Sequence, residues 1–544
     1  MNGRLQTCGA PVIHQVDGSG QRLDWRKMGL ERLSRRTAVG GMASWAMLET
    51  ILSAATGIQA LAQAANGETG EALAPDHVLK TAQALSVRPF QKPKNDVPDP
   101  FGKLSPEQYR DIRFRGDQAL WRGEKLEAEL QFFPVGWIYD APVEIFIVEN
   151  GRARQLKADG KLFSIGQQIP NAPQGAPFAF SGFRVHGPIN RSDYFDEYVV
   201  FQGASFFRSV GRGQSYGLSA RGLAINTARP GGEELPLFRA FWIEKPKPGT
   251  PEIVVQALLD GPSTTGAYRF VIQPGTTTII DVELTLFPRR ELQHVGLAPL
   301  TSMFLHGPAF RRINNDIRPS VYDSEGLAIL NGRGERLWRP LTNPRKLQTS
   351  AFVDRDPKGF GLAQRDRNFQ NFEDLDARFE RRPTVWVETK GSWGDGAVEL
   401  FEIPAEDEIN DNITVFWRPA KSIEAEKPYK LSYRLHWGDN VPVAWTGGRV
   451  RKTRVGVSRK GAITFAVDFD GPGLKELKDL PVADVSASAG TVTNVLMQRH
   501  GEIAGVRCTF ELQPGNADLS ELRLLLRMNE IAMSESWLYR WTKA

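Results

Sequence analysis

The feature that most constrains the fold of this chain is a succession of short runs rich in β-branched and aromatic residues, separated by turns. The longest, from Leu126 to Val148, reads LEAELQFFPVGWIYDAPVEIFIV. Such residues favour strands because they fit a pleated, half-buried surface. Further runs of this kind are Tyr198–Phe207, Glu252–Leu259, Tyr268–Ile272, Thr277–Phe287 and Val385–Glu388. Helical patterning is sparse, and the best candidates are the short segments Pro75–Leu85 and Pro106–Phe114. We therefore predict an all-β protein built from stacked sheets.

A change in strand pattern divides the predicted chain into two sandwich domains. The strand-like run Tyr429–Trp437 is followed by a polar, turn-rich link, and beyond Val450 the predicted strands become shorter. Roughly 95 residues in several strands suit an immunoglobulin-like sandwich. We expect a large β-sandwich domain over residues 85–438, a linker over 439–450 and an immunoglobulin-like domain over 451–544. Residues 63–84 are rich in small side chains and are expected to form a mobile spacer.

The N-terminal 62 residues have the pattern of an export signal. Paired arginines, Arg35 and Arg36, precede a mildly apolar run, and Ala60-Leu61-Ala62 offers small residues at the spacing of a signal-peptidase site. This order is typical of a twin-arginine signal peptide. The segment before the arginines is long, so Met28 is an alternative start. Because Glu49 interrupts the run, it lacks the ~20 apolar residues of a membrane span. We expect a periplasmic protein with no membrane span after cleavage.

Composition excludes several functional classes. Removing the seven basic and four acidic residues of positions 1–62 leaves 61 basic and 59 acidic residues in the mature chain. A nearly neutral chain without a basic tract interleaved with aromatics gives no support to nucleic-acid binding. Cys508 is the one cysteine of the mature chain, so no internal disulfide can form, and it is expected to be a buried apolar side chain. The histidines show no metal-ligand spacing, and we predict no metal and no cofactor.

The segment from Asp354 to Trp417 carries the strongest sign of chemistry. It contains many acids on long turns, close in sequence to Trp386, Trp393 and Trp417. Carboxylates can move protons, and aromatic faces stack on sugar rings. The pattern indicates a carbohydrate site. Each loop acid also has a structural alternative, because Asp and Asn stabilise turns.

Several long strings in the chain resemble the osmoregulated periplasmic glucan biosynthesis proteins G and D. The strings are SVYDSEGL, WRPLTNPRKL, GFGLAQRDRNF, ERRPTVWVETKGSWGDGAVELFEIP, DEINDNITVFW, FQGASFFRSVGRGQSYGLSARGLAI, FRAFWIEKP, ALLDGPSTTGAYRFVI, GLAPLTSMFLHG and SESWLYRW. They cover the chain almost continuously from about Tyr109 to Tyr433, and the last extends the likeness to the C-terminus. The twin-arginine pattern favours the D member, because the G member normally uses the general secretory route.

The resemblance implies a fold and an activity. The larger domain is expected to be a galactose-mutarotase-like β-sandwich with a long cleft, followed by the smaller immunoglobulin-like β-sandwich. Relatives act on β-1,2-linked glucan, and characterised ones are inverting endo-hydrolases, while others transfer or cyclise chains. The family's general acid falls on Asp411 and its base on Asp323. Burial beneath sugar would raise the pKa of Asp411 and keep it protonated.

The remaining candidate residues are assigned to substrate binding, each with a structural alternative. They are Glu408, Trp386, Trp393, Trp417, Arg365, Arg381, Tyr216 and Arg221. The tryptophans could be core residues, since strand alternation buries one face. The arginines could pair with nearby acids, which is the commoner fate of such charges.

The sequence therefore leaves three possible functions. The first is an endo-β-1,2-glucanase that trims nascent periplasmic glucan. The second is a β-1,2-glucan transglycosylase or cyclase, in which a sugar hydroxyl replaces water. The third is a glucan-binding scaffold that works with the inner-membrane glucan glucosyltransferase, its immunoglobulin-like domain being the partner surface.

Overall fold

The computed structural model describes residues 70–97, 99–169, 178–311, 315–458 and 461–543. The predicted signal peptide at 1–62 lies outside this part. Three α-helices occur within it, namely α1 (His77–Ser86), α2 (Pro106–Arg110) and α3 (Pro472–Lys475). None of the helices in these ranges is long and apolar enough to cross a membrane. Apart from several three-residue 3-10 helices, the rest of the regular structure is strand, which confirms the all-β prediction.

The strands of the described residues follow one another at short intervals along the chain. They are β1 (Glu71–Ala72), β2 (Ile112–Phe114), β3 (Glu129–Pro134), β4 (Glu144–Glu149), β5 (Arg152–Leu156), β6 (Phe163–Ile165), β7 (Phe180–Arg191), β8 (Tyr194–Gln202), β9 (Phe206–Ser209), β10 (Ser219–Arg221), β11 (Ala224–Ile225), β12 (Leu237–Glu244), β13 (Ile253–Asp260), β14 (Thr264–Gln273), β15 (Thr278–Pro288), β16 (Val295–Ser302), β17 (Phe304–His306), β18 (Val321–Tyr322), β19 (Gly326–Leu330), β20 (Arg336–Pro340), β21 (Gln348–Arg355), β22 (Gly359–Ala363), β23 (Thr384–Lys390), β24 (Asp395–Glu402), β25 (Ile413–Pro419), β26 (Tyr429–Gly438), β27 (Arg449–Val457), β28 (Ile463–Asp470), β29 (Val482–Ala487), β30 (Thr491–His500), β31 (Gly505–Gln513), β32 (Leu519–Met528), β33 (Ile531–Ala532) and β34 (Ser536–Thr542).

Two large sheets form the sandwich of the first domain. One has the order β1-β5-β4-β12-β13-β14-β15-β26-β23-β22-β19-β20-β34-β32-β29, and the other has the order β21-β24-β25-β16-β10-β9-β8-β7-β3. Alternation along a strand decides which side chains enter the space between the sheets. In β15, Ile280, Val282 and Leu284 are buried there. Phenylalanines from both sheets meet in the same core, as in the contact of Phe201 with Phe270 at 5.2 Å between ring centroids.

The larger sheet continues from the first domain into the second. Strand β20 of the large domain pairs in parallel with β34, and Trp338 lies opposite Trp537. The other sheet of the C-terminal domain has the order β27-β28-β31-β30. A second hydrophobic core therefore includes residues of both domains, with Trp338 and Trp386 from the first and Phe465 from the second. Cys508 is buried in this core, as predicted.

The N-terminal part of the large domain differs from two expectations. Helix α1 forms close to the predicted segment 75–85, but it packs on the larger sheet, with Val78 and Ala82 buried beside Trp242. Thr265 Oγ1 also donates to the Ala82 carbonyl over 2.7 Å. Residues 70–84 are therefore not a free spacer, because the apolar face of α1 is covered by the sheet. The predicted helix 106–114 ends early, because residues 112–114 form β2 and pair with β6.

Candidate active site

Asp411 and Asp323 come from distant parts of the chain and lie near each other. Asp411 lies just before β25, and Asp323 directly follows β18. The pKa of the Asp411 carboxyl is raised to about 6, mainly by burial; the negative charge of Asp323 contributes to the rise and two nearby arginines oppose it. The Asp411 Oδ2 atom is buried and has no hydrogen-bond partner among the described residues. This carboxyl is thus available as a proton donor near neutral pH.

Asp323 forms an ion pair with Arg382. The Arg382 Nε lies 3.2 Å from Asp323 Oδ1, and both side chains are mostly buried. The Asp323 backbone N–H donates to the Met303 carbonyl over 2.8 Å, which fixes the turn. The site therefore combines a carboxyl group whose pKa is raised with a second carboxyl group that is held by an arginine.

The turn that presents Arg382 is itself fixed by Arg367. The Arg367 guanidinium donates to the carbonyls of Glu380, over 3.1 Å, and of Arg382. Arg381, the neighbour predicted to bind substrate, is about half exposed and lies 3.8 Å from Glu380. The contact with the acid pair is thus made by the adjacent arginine. The sequence alone does not show which of Arg381 and Arg382 contacts the acid pair. Consecutive residues of a turn point in different directions, and only the folded structure shows which direction leads to the acids.

Two asparagines hold the loop before Asp411. The Asn412 side chain accepts from the Phe304 N–H and donates to the carbonyls of Phe304 and Ile403, over 2.8 to 3.0 Å. Asn343 makes the same type of contact with the backbone of Leu305 and Ala405. Both asparagines are buried. The side-chain amides of both asparagines bond to backbone N–H and C=O groups, as a neighbouring strand would. They therefore hold Asp411 in place just before β25.

Glu408 is bound to an arginine in the same loop region. The Arg318 guanidinium contacts three carboxylates, Asp316 at 2.7 Å, Asp374 at 2.9 Å and Glu408 at 2.5 Å. These contacts lower the pKa of Asp316 to about 2, with Arg318 as the main cause. Glu408 therefore lies three residues from Asp411 in sequence but takes part in an ion cluster that stabilises the loop.

Two arginines on neighbouring strands face Asp411. Both Arg208 on β9 and Arg221 on β10 lower the pKa of Asp411. Arg208 Nε donates to Ser219 Oγ over 2.6 Å, while Arg221 is buried, pairs with Glu233 at 2.9 Å and lies over the Phe206 ring. Arg221 was predicted and Arg208 was missed. The signal that could have identified Arg208 is that it is the one charged residue of β9, FFRS, whose other side chains are buried.

The three predicted stacking tryptophans are buried, which corrects their assignment as exposed sugar platforms. Trp386 and Trp417 are at most 1% exposed and Trp393 is 5% exposed. Trp386 packs in the core shared by the two domains, whereas Trp393 and Trp417 contact each other in the core of the large domain. A ring with both faces covered cannot stack on a sugar.

Arg365 and Tyr216 lie at two further places. Arg365 forms a bidentate ion pair with Glu535 of the C-terminal domain, at 2.8 and 2.9 Å, and its guanidinium lies 3.6 Å from the Trp338 ring centroid. Arg365 therefore links the two domains and does not contact the acid pair. The Tyr216 hydroxyl lies near Glu197 and opposes the rise in the pKa of that carboxyl that burial causes, and the next residue, Gly217, packs closely on Arg382. Tyr216 thus lies beside the turn that carries Arg382.

This arrangement is suited to proton transfer by two carboxyl groups. An acid whose pKa is near 6 can protonate a leaving oxygen, and a carboxylate held by an arginine can accept a proton. Within the described ranges, no three His, Cys, Asp or Glu side chains are grouped so that they could hold a metal ion.

Comparison with known proteins identifies the family. The chain matches the family model described as Periplasmic glucan biosynthesis protein, MdoG, over residues 74–541. It is 47% identical over 471 residues to glucans biosynthesis protein G of Vibrio cholerae serotype O1, covering 86% of each chain. The protein of the same name from Shewanella sp. (strain MR-7) is 48% identical over 472 residues, again 86% of each. That from Bradyrhizobium diazoefficiens is 45% identical over 485 residues, 89% of this chain and 96% of the relative.

This chain belongs to the family of periplasmic glucan biosynthesis proteins. The predicted resemblance to the G and D proteins is confirmed at the level of the family. The narrower affiliation with the D member stays a prediction.

Proposed function

We propose that this protein is an inverting endo-β-1,2-glucanase that cleaves the backbone of periplasmic glucan. The observation that carries the proposal is the pairing of a half-buried Asp411, whose pKa is about 6, with an Asp323 that is held by Arg382. Inverting hydrolysis needs this combination of one protonated acid and one carboxylate. The family's role in glucan biosynthesis supplies the substrate class, and the β-1,2 linkage rests on the sequence resemblance.

In the proposed reaction, Asp411 protonates the glycosidic oxygen as the bond to the anomeric carbon breaks. Asp323 accepts a proton from the water that attacks the opposite face of the sugar, directly or through a relay. Arg208 and Arg221 stabilise the Asp411 carboxylate that forms, because both lower its pKa. Arg382 holds Asp323 in position through their ion pair.

The experiment is incubation of the mature protein with linear β-1,2-glucan, with Asp411→Asn in parallel. Shorter products of inverted anomeric configuration, followed by size and optical rotation and abolished in the variant, are the expected result. The matched control is Asp407→Asn, the same change on an exposed residue of the same loop. Asp407 Oδ1 accepts from the Ile409 N–H, and an asparagine oxygen can accept in its place. Rings or lengthened chains would assign the site to a transglycosylase or cyclase, and binding without any change in the polymer would leave the scaffold function.

We also propose export through the twin-arginine route, which supports affiliation with the D member. The paired residues Arg35 and Arg36 are the basis of this proposal. Changing both to lysine should leave uncleaved precursor in the cytoplasm, whereas Arg32→Lys should not affect export. Normal export of the doubly changed protein would contradict the route. Contact with the inner-membrane glucosyltransferase stays a prediction.

A further inference from the structure

One face of the smaller sheet of the large domain carries a row of four side chains, three polar and one a valine, that leads away from the acid pair; we call it the polar row. Arg208, Val200, Arg184 and Gln131 are register partners on the four neighbouring strands β9, β8, β7 and β3. At the usual strand spacing this row covers about 14 Å. Side chains of the opposite parity enter the core between the sheets, so the row lies on the other face, where Arg208 and Arg184 are partly exposed and Val200 and Gln131 are almost fully buried.

The end of the row farthest from the acid pair is hydrogen-bonded and lies beside an aromatic ring. Arg184 donates to Gln131 over 2.7 Å and to Glu197 over 2.9 Å, and its guanidinium lies 5.3 Å from the ring centroid of Phe133. Arg184 and Phe133 are half-buried, so they are partly accessible. Planar hydrogen-bonding groups beside an aromatic face are suited to sugars, which present hydroxyls at their edges and apolar C–H groups on their faces.

Three further aromatic rings form a cluster at this end of the row. Tyr109, Trp137 and Tyr139 have ring centroids 5.4 to 6.2 Å apart, and all three are partly exposed. The cluster is tied to the same face of the sheet, because Gln202 of β8 donates to the Tyr109 hydroxyl over 2.7 Å. We call Tyr109, Trp137 and Tyr139 the aromatic platform.

Trp137 occupies a conformation that a large side chain rarely adopts. It lies at the tip of a tight turn, in which Gly136 and Tyr139 exchange backbone hydrogen bonds, and its φ is 54°. A non-glycine residue in the left-handed region carries backbone strain, and such strain is concentrated at functional sites. A partly exposed aromatic ring held at such a position is a candidate binding group.

The geometry points to a distal carbohydrate-binding subsite at the aromatic platform, joined to the acid pair by the polar row. Its ligand is a β-linked glucose polymer, several residues from the bond that is cleaved. This inference rests on the proposed function and extends it, because it makes the enzyme selective for long chains. A short oligosaccharide at the acid pair would not reach the platform, whereas a polymer lying along the row would.

The test compares binding of β-1,2-linked trisaccharide and of long linear β-1,2-glucan by calorimetry. Both ligands are measured in an Asp411→Asn background so that neither is cleaved. Adding Trp137→Ala should weaken binding of the polymer about fivefold to tenfold and leave that of the trisaccharide unchanged. Trp445→Ala is the matched control, because Trp445 is also partly exposed but contacts Arg336 near the C-terminal domain. This control should bind both ligands normally.

Trp137→Gly separates binding from folding. Glycine adopts a positive φ without strain, so this variant should lose polymer affinity as the alanine variant does, while its unfolding temperature stays at or above that of the alanine variant. Unchanged polymer affinity in both variants would overturn the platform and leave the proposed function intact. Failure of the starting protein to bind any β-1,2-glucan would overturn both.

Discussion

Replacing Asp411 with asparagine should make the folded protein more stable at neutral pH while it abolishes activity. The pKa of this carboxyl rises from 3.8 to about 6 on folding, mainly through burial. Ionising it therefore costs the folded protein about 3 kcal/mol more than the unfolded chain. Asparagine has nearly the same shape and carries no charge, so the variant avoids that cost.

The sign of the pH dependence follows from proton binding in the two states. Between pH 3.8 and about 6, the unfolded chain has released this proton and the folded protein keeps it. Stability of the parent therefore falls as pH rises through this window. Below it the carboxyl is protonated in both states, and the extra cost is absent. The variant should thus match the parent near pH 3.5 and exceed it by at most about 3 kcal/mol above pH 7.

The assay is urea unfolding of both proteins from pH 3.5 to 8, together with turnover of linear β-1,2-glucan. The comparison uses the difference between the proteins, because burial also raises the pKa of Glu325 to about 7 and affects both equally. Loss of the acid should lower kcat by about 10²–10⁴-fold. A stability difference that stays flat with pH, or a variant that retains turnover, would refute the reasoning.

Three further changes test other parts of the structure. Arg382→Met removes the cation beside Asp323 and should lower kcat on β-1,2-glucan about tenfold to a hundredfold, with Arg382→Lys partly active; unchanged kcat would contradict its positioning role. Trp386→Ala should cost about 3–5 kcal/mol in urea unfolding through the cavity it leaves, with polymer affinity retained in calorimetry; selective loss of affinity would restore its assignment as a platform. Arg365→Met leaves Glu535 buried without its ion-pair partner, so it should cost about 3 kcal/mol and lower the unfolding temperature in scanning calorimetry.

Much of the strand pattern could be predicted because strand signals are local. Alternating side chains and turn residues indicated the strands of both domains. The acid pair could be assigned only through resemblance to a known family. On their own, Asp323 and Asp411 are two of many loop acids, and nothing in their separate surroundings indicates that they meet.

The placement of single side chains required the tertiary structure. In β23, alternation correctly separates Trp386 from Val385 and Val387, but both faces of this strand are covered. The valines enter the core of the large domain, and the tryptophan enters the core shared with the C-terminal domain. A period of two tells which residues share a face, and it says nothing about what covers that face.

The sequence by itself determined the all-β class, the family and the residue types available for acid–base chemistry. These properties depend on local propensity and on long shared strings. The tertiary structure alone decided that Arg382 rather than Arg381 meets Asp323, that Arg208 faces Asp411, and that the sheet continues through β20 and β34 into the second domain. Each of these depends on which distant strands become neighbours, and burial then raises the pKa of Asp411.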